Sequence, residues 1–151
     1  RPIYIAVSVG RENQLNMENH FVQEGLAYRI TPFDNAKLGR RIDSEKMYDN
    51  LMNKFKFGGI DNPDIYLDET VLRMCDTHRR LFVQLASQLI KEGKKDKALK
   101  VLDYCEKVIP STTVRHDYIY SSSKRKWLTT ISSWDKHRKL KISLSSWQTT
   151  Q

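Results

Sequence analysis

The sequence predicts a mainly helical α+β fold, in which a small strand–helix–strand unit is followed by antiparallel helical hairpins. Alternating β-branched residues near the start of the chain indicate a strand. Apolar residues at helical spacing dominate the middle of the chain, and residues 121–151 follow neither period. These changes divide the 151 residues into a strand–helix–strand unit (1–42), a helical region (43–120) and an atypical basic tail (121–151), which we expect to pack poorly.

The first unit is expected to hold two strands joined by a short helix. In RPIYIAVSVG, Ile or Val occupies every second position from Ile3 to Val9, and Gly10 ends the strand. The stretch NMENHFVQEGLAYRITP begins as a helical segment, and a second strand follows Gly25 and closes at Pro32. Because parallel strands need a crossover of this kind, the order predicts a small parallel unit.

The helical region contains three predicted helices. Asp43 or Ser44 can cap the first, and the paired glycines and proline of GGIDNPD end it. Its apolar residues recur at i, i+4 and i+8 and therefore form one face: Met47, Tyr48, Leu51, Met52 and Phe55.

The two longer helices are predicted to pair with each other. Asp68 caps the longest, which runs to about Glu92, and Gly93 suits the position after its end. The next helix runs from about Lys95 to Val108 and is ended by a proline. The connection is short, so the two helices must form an antiparallel hairpin.

The sequence of this hairpin, RLFVQLASQLIKEGKKDKALKVLDYCEKVIP, resembles a tetratricopeptide repeat. The positions that match the repeat are Phe82, Leu85, Ala86, Leu89, Gly93, Ala98, Leu102, Cys105 and Pro110. Small alanines suit a close helix crossing, and the glycine suits the corner between the helices. An ordinary helical hairpin is the alternative. Repeats of this class rarely stand alone, because each one stacks on neighbours to cover its apolar face.

By this resemblance, the first helix of the hairpin presents a concave binding surface. The residues expected on that surface are Arg80, Val83, Ser87, Ile90 and Lys91. Arg80 and Lys91 could meet an acidic peptide terminus or the phosphate of a lipid-linked sugar. The alternative is that both are ordinary solvated surface residues.

A wider resemblance covers most of residues 1–120. The strings PIYIAVSVGREN, FVQEGLAYRITP, RIDSEKMYDNLMNKFKFGGIDNPDIYLDETVLRMCDTHR and EGKKDKALKVLD resemble the C-terminal region of a family of large bacterial multi-pass membrane proteins, domain of unknown function 2723. The membrane portion of that family is similar to protein O-mannosyltransferases, which use lipid-linked sugar donors. The strings GLAYRITP and MYDNLMNKFKFGGID are the most distinctive.

The resemblance implies that the chain is an extramembrane binding or scaffolding module of a glycosyltransferase-like membrane protein. It would be attached through spans upstream of Arg1 and would lie on the extracytoplasmic side. Its expected partner is a protein or peptide, or a glycan or lipid-linked sugar. The alternative is an accessory role, in which the chain helps to hold the acceptor or the sugar-phosphate at the membrane site. In either case the catalytic apparatus would lie in the membrane part.

The residues themselves offer no clear catalytic, metal or cofactor site. Cys75 and His78 stand three apart on one helical face, but no second pair at zinc spacing exists, which favours core packing. The stretch DNPDIYLDE lacks the glycine and the closing glutamate of a calcium loop, and FGGID lacks the spacing of a phosphate-binding loop. We therefore expect no cofactor, and nothing in the sequence argues for catalysis within this chain.

The positive charge is concentrated in the tail. The net charge is +8, and residues 121–151 contain seven Lys and Arg against the single acid Asp135. Binding to nucleic acid needs basic residues clustered on a folded face. Because the ordered part is nearly neutral, we expect no nucleic-acid partner.

The tail also departs from the family at about Lys124, where the repeat pattern calls for another hairpin. With a free choice among synonymous codons, DNA for KWLTTISSWDKHRKLKISLSSWQTT can be read from the third base of its first codon as MADNYFLLGQTPKAENISFELANN. That peptide is amphipathic, and its Gly and Ala stand five residues apart, as do Gly93 and Ala98. We hypothesise that an insertion or deletion near the codons of Lys124 to Lys126 shifted the frame. Resequencing that returns Trp127, Trp134 and Trp147 in frame and in homologous genes would refute this.

Overall fold

The computed structural model describes residues 1–114. In chain order its elements are β1 (Tyr4–Ala6), two 3₁₀ turns (Arg11–Asn13 and Glu18–His20), β2 (Phe21–Gln23), β3 (Ala27–Ile30), α1 (Ser44–Asp49) with a π-helical continuation (Asn50–Lys54), α2 (Glu69–Lys91) and α3 (Lys95–Val108). The predicted α+β class, with a small β unit before a helical hairpin, is confirmed. The division of the chain into 1–42 and 43–120 stays a prediction, and the predictions about residues 121–151 lie outside the described residues.

The sheet is antiparallel, so the predicted parallel pairing was wrong. Its order is β1-β3-β2, with Ile5 opposite Tyr28 and Val22 opposite Arg29. The chain reverses between β2 and β3 in a tight turn, in which the Glu24 amide donates to the Ala27 carbonyl at 3.0 Å. The hairpin of β2 and β3 needs only a short connection. Between β1 and β2, two 3₁₀ turns stand in place of the expected crossover helix.

Gly25 makes that turn possible. Its φ of +133° lies where side chains are rarely tolerated, and a Cβ there would lie 3.4 Å from Cζ of Phe55. The free edge of β2 is covered by residues 41–43, since the Gln23 amide donates to the Arg41 carbonyl and the Asp43 amide donates to the Gln23 carbonyl. The sheet is thereby joined to the start of α1.

Helix α1 begins where the sequence predicted. The Asp43 side chain accepts a hydrogen bond from the Lys46 amide at 3.1 Å, which is a typical N-cap contact. Met47 and Leu51 are fully buried, so one face of α1 and its π-helical continuation packs into the core.

The hairpin of α2 and α3 also matches its prediction closely. The Asp68 carboxylate accepts from the Val71 amide at 2.8 Å, and Gly93 turns the corner with a φ of +76°. The core of the described chain is the hairpin together with α1, and its fully buried large side chains are Met47, Leu51, Cys75, Phe82, Leu85, Leu89, Val101, Cys105 and Ile109.

Phe57, from the loop between α1 and α2, closes one side of this core. Its ring lies 5.9 Å from the ring of Phe82 and 6.3 Å from the ring of Tyr104, and those two rings lie 6.2 Å apart. These centroid distances fall in the favourable range for aromatic pairs. The loop is therefore anchored to both helices of the hairpin.

Arg79 fixes the chain just after α3. Only 6% of this residue is exposed, and its Nη2 donates to the carbonyl oxygens of Ile109 (3.0 Å), Pro110 (3.3 Å) and Val114 (2.6 Å). Burial lowers the pKa of the guanidinium, although arginine stays charged. Carbonyl oxygens at a helix C-terminus carry partial negative charge and offset part of that desolvation cost.

A polar network joins α1 to the corner of the hairpin. Ser44 Oγ donates to Glu92 at 2.8 Å, and Lys94 Nζ lies 2.6 Å from Glu45 and 2.9 Å from Glu92. Lys97 Nζ lies 3.1 Å from the same Glu45 carboxylate. The sheet, α1 and the hairpin are thus connected in series by hydrogen bonds.

Candidate functional site

The predicted concave surface is only partly a surface. Arg80 and Lys91 are exposed and Ser87 is half-buried. Ile90 is half-buried and packs against the core, whereas Val83 is a core residue that is only 6% exposed. Val83 therefore does not present its side chain to a partner, because the hairpin buries a wider arc of α2 than a single helical stripe.

The three polar residues of that set do share one side of α2. Arg80, Ser87 and Lys91 follow at i, i+7 and i+11, so they form a stripe about 16 Å long at 1.5 Å per residue. We call it the α2 stripe. Arg80 Nε lies 3.3 Å from Asp76 Oδ2, which offsets part of its charge. The α2 stripe thus has a cation at each end and a hydroxyl between them, which suits an extended acidic or polar ligand.

A second candidate site, which was not predicted from the sequence, is a polar cluster around Glu24. The Glu24 side chain is only 7% exposed and lies between the sheet and α1. Its carboxylate accepts from Arg29 Nε at 2.5 Å, from Lys46 Nζ at 3.0 Å and from the Tyr4 hydroxyl at 3.1 Å. Asn50 Nδ2 donates to the Glu24 backbone carbonyl at 2.5 Å. The partners come from β1, β3, α1 and the π-helical turn, so this cluster fixes the sheet against the helix.

The electrostatics of the cluster keep Glu24 ionised. Burial of the carboxyl opposes ionisation, but hydrogen bonds from Arg29, Lys46 and Tyr4 outweigh it and hold the pKa of Glu24 below its ordinary value. The same contact with Glu24 raises the pKa of Arg29. A carboxylate held this way is a poor general base, because its proton affinity is reduced.

A cleft of about 570 Å³ opens beside the cluster. It is shared by the strand unit, α1 and the π-helical turn, and it is lined by Tyr4, Glu24, Leu26, Ala27, Lys46, Asn50, Lys54 and Phe55. Two ammonium groups therefore face the cleft, although Lys54 also pairs with Asp49 at 2.6 Å. The cleft offers hydrogen-bond donors and an apolar wall, which are features of ligand-binding sites.

The other chemically notable side chains are engaged in packing. His78 Nδ1 lies 2.7 Å from the Met74 carbonyl oxygen, and its ring packs edge-on against Phe57 at 5.6 Å. Cys75 and Cys105 are each 1% exposed, and burial raises the pKa of both thiols. Within residues 1–114 there is no group of three or more His, Cys, Asp or Glu placed to hold a metal ion.

Comparison with known proteins links the first part of the chain to membrane proteins. A family model described as TMEM260-associated domain 2 matches residues 1–47, which contain the whole sheet and the start of α1. This is a domain associated with a membrane protein. No curated protein and no solved structure gives a significant match to the chain. Among the described residues, no helix has the length and apolar character needed to cross a bilayer.

Proposed function

We propose that this chain is an extramembrane binding or scaffolding module of a membrane-bound, glycosyltransferase-like protein, resembling the protein O-mannosyltransferases. The match of residues 1–47 to a domain associated with a membrane protein supports the membrane attachment, and the glycosyltransferase-like part of the proposal rests on the sequence resemblance given above. The module would lie on the extracytoplasmic side, attached through spans upstream of Arg1. Its partner would be a protein or peptide.

The α2 stripe is the surface that we propose for this binding. It is presented by a helix of 23 residues whose opposite face is locked into the core, so its side chains are held on a rigid element. Arg80 and Lys91 would pair with carboxylates of the partner, and Ser87 would supply a hydrogen bond between them.

A site-specific photo-crosslinker tests this proposal. The crosslinking amino acid replaces Ser87 in the gene product expressed in its own cells, and Lys100, an exposed residue of α3, is the matched control position. We expect one discrete adduct in the membrane fraction from position 87 and none from position 100. The adduct should disappear when Arg80→Gln and Lys91→Gln are added. Adducts from both positions, or from neither, would contradict the proposal.

The alternative function is to help hold an acceptor or a lipid-linked sugar-phosphate at the transferase site. The cleft beside Glu24 favours it, because two unlike units share that cleft and Lys46 and Lys54 line it. Calorimetric titration with a short-chain prenyl-phosphate sugar would test it. Here Lys54→Gln should weaken binding and Lys100→Gln should not. Equal affinities of the two variants would reject the cleft as the site.

The isolated chain is not expected to transfer sugar itself. The active site of the proposed membrane protein would lie in its membrane part. Within this chain, Glu24 is ionised and already accepts hydrogen bonds from Arg29 and Lys46, so it is unsuited to deprotonate a hydroxyl. Incubation of the purified chain with a lipid-linked sugar and an acceptor peptide checks this expectation. Transfer above the level of a heat-denatured sample would overturn it.

A further inference from the structure

The loop of residues 31–41 is built on a well-satisfied polar frame. The buried Asn35 amide, 4% exposed, donates to Thr31 Oγ1 at 2.6 Å, and the Asn35 carbonyl accepts from the Arg40 amide at 3.0 Å. Asp34 Oδ1 accepts from the amides of Ala36 at 3.1 Å and Lys37 at 3.2 Å. These contacts fix the loop backbone, so its side chains are held in defined positions.

The fixed loop nevertheless exposes large apolar side chains at one end of the sheet. Phe33 is 64% exposed and Leu38 is 55% exposed. Ile3, at 64%, lies close to the start of this loop, because the Ile30 amide donates to the Ile3 carbonyl at 2.9 Å. We call Ile3, Phe33 and Leu38, with the basic side chains of the loop, the loop tip.

Residues 31–42, which include the loop, carry a net positive charge, with Lys37, Arg40 and Arg41 against Asp34. Arg40 and Arg41 have no carboxylate partner among residues 1–114, and Lys37 pairs at 3.5 Å with Asp34, the one acid of residues 31–42. Other apolar side chains are also exposed among residues 1–114, including Ile65, Tyr66 and Met74, at 46%, 90% and 49% exposure. Ile65 and Tyr66 are flanked along the sequence by four acids: Asp61, Asp64, Asp68 and Glu69. The exposed apolar residues of the loop and those at Ile65 and Tyr66 therefore differ in the sign of the charged residues next to them in the sequence.

We infer that the loop tip rests on the anionic surface of a lipid bilayer. This inference rests on the proposed membrane attachment, and residues 1–47, which match the domain associated with a membrane protein, include the whole loop. Phe33, Leu38 and Ile3 would enter the boundary between headgroups and acyl chains. Arg40 and Arg41 would lie at the lipid phosphates, where guanidinium groups form paired hydrogen bonds. The acidic surroundings of Tyr66 would be repelled from the same surface.

Co-sedimentation of the full chain with lipid vesicles tests the inference. The vesicles are phosphatidylcholine alone or with about 30% phosphatidylglycerol, which gives a negative surface potential. The variant Phe33→Ser with Leu38→Ser should partition about tenfold less, because it loses two partly inserted apolar side chains. Arg40→Gln with Arg41→Gln should lose about tenfold on the anionic vesicles only.

The matched control is Ile65→Ser with Tyr66→Ser, which removes apolar area of similar size from acidic surroundings. It should partition as the parent chain does. Every variant retains residues 121–151, so any attraction of the basic tail to the vesicles is common to all of them. Circular dichroism of each variant checks that the fold is kept.

Three outcomes would overturn the inference. The first is unchanged partitioning of the Phe33 and Leu38 variant, and the second is an equal loss in the control. The third is found without lipid: the mass measured by sedimentation is half as large for the Phe33 and Leu38 variant as for the parent chain. That result would mean that the loop tip binds a second copy of the chain. None of them affects the crosslinking result at Ser87, so the proposed binding function is judged separately.

Discussion

Glu24 shows how one side chain can fix two units of the fold. Its carboxylate is shared by Arg29 and Lys46, which lie in different elements and bring β3 and α1 to the same point. Hydrogen bonds to charged groups contribute more than neutral ones, at about 1.5–3 kcal/mol each. Loss of the carboxylate charge would also leave both cations without this partner.

We therefore expect Glu24→Gln to lower the free energy of unfolding by about 1–3 kcal/mol at neutral pH. The folded-state pKa of Glu24 is depressed, so its stabilisation is present above the unfolded value of about 4.3 and is lost as the pH falls through the folded value. Urea melts from pH 7 down to pH 3 should show the gap between parent and variant closing below that value. Glu12→Gln, at an exposed position, is the control, and a gap that widens in acid would contradict the assignment.

Arg79 offers a second test with a control next to it. Arg79→Met removes the donor to three carbonyl oxygens and should cost about 2–4 kcal/mol, because buried acceptors lose their partner. Arg80→Met, at an exposed position, should cost less than about 1 kcal/mol. The two variants are compared by thermal and urea melts. Equal losses would mean that the three carbonyl contacts contribute little to stability.

Neither the Glu24 cluster nor the role of Arg79 could be predicted from the sequence. Three of the four partners of Glu24 lie 20, 22 and 26 residues away along the chain, and only Arg29, at 5 residues, is near it in sequence. The carbonyl partners of Arg79 lie 30 to 35 residues away, so no local pattern reports these contacts. A signal did exist at Glu24, since it is an acid within the mainly apolar run FVQEGLAY. Val83 was predicted on the binding surface but is buried, for a related reason. The periodicity of one helix does not show how many neighbouring elements pack against that helix.

The α2–α3 hairpin is the element on which the rest of the described core depends. Leu85 is fully buried and Leu102 is 8% exposed, both within the same core cluster. Leu85→Ala or Leu102→Ala should each cost about 2–5 kcal/mol of unfolding free energy. Met74→Ala, on the half-exposed side of α2, should cost well under half as much. Losses below about 0.5 kcal/mol at both leucines would reject the packing.

The elements differ in how far the sequence could predict them. The bounds of α2 and α3 were predictable because Asp68, Gly93 and Pro110 mark their ends and the apolar stripe is long. Strand β2 was not predictable, because three residues, Phe21–Gln23, are too few to show a period. The missing strand led directly to the wrong parallel topology. The glycine turn at Gly25, not a crossover, decides the pairing.

At the scale of the whole molecule, charge is divided unequally along the chain. Residues 121–151 carry seven basic residues and one acid, whereas residues 1–114 contain 18 basic and 16 acidic residues. We expect duplex DNA binding to be weak and to require the tail, because the affinity comes from released counterions. A chain ending at Tyr120 should not bind at physiological salt in a mobility-shift assay. Persistent binding by that chain would contradict the charge argument.

The series of contacts from the sheet through α1 to the hairpin corner has a mechanical consequence. We expect tension applied at Arg1 to pass from the sheet to α1 through Gln23 and Glu24. From α1 it would reach α2 and α3 through the buried Met47 and Leu51, together with the polar contacts of Ser44 and Glu45. Pulled in optical tweezers between residues 1 and 114, the parent chain should lengthen in a single step. Met47→Ala with Leu51→Ala, which removes the buried packing of α1 against the hairpin, should divide that step in two, with the sheet and the hairpin yielding at separate forces. In a protein fixed to a membrane, such a series would transmit displacement at the anchor to the helices that lie farther along the chain.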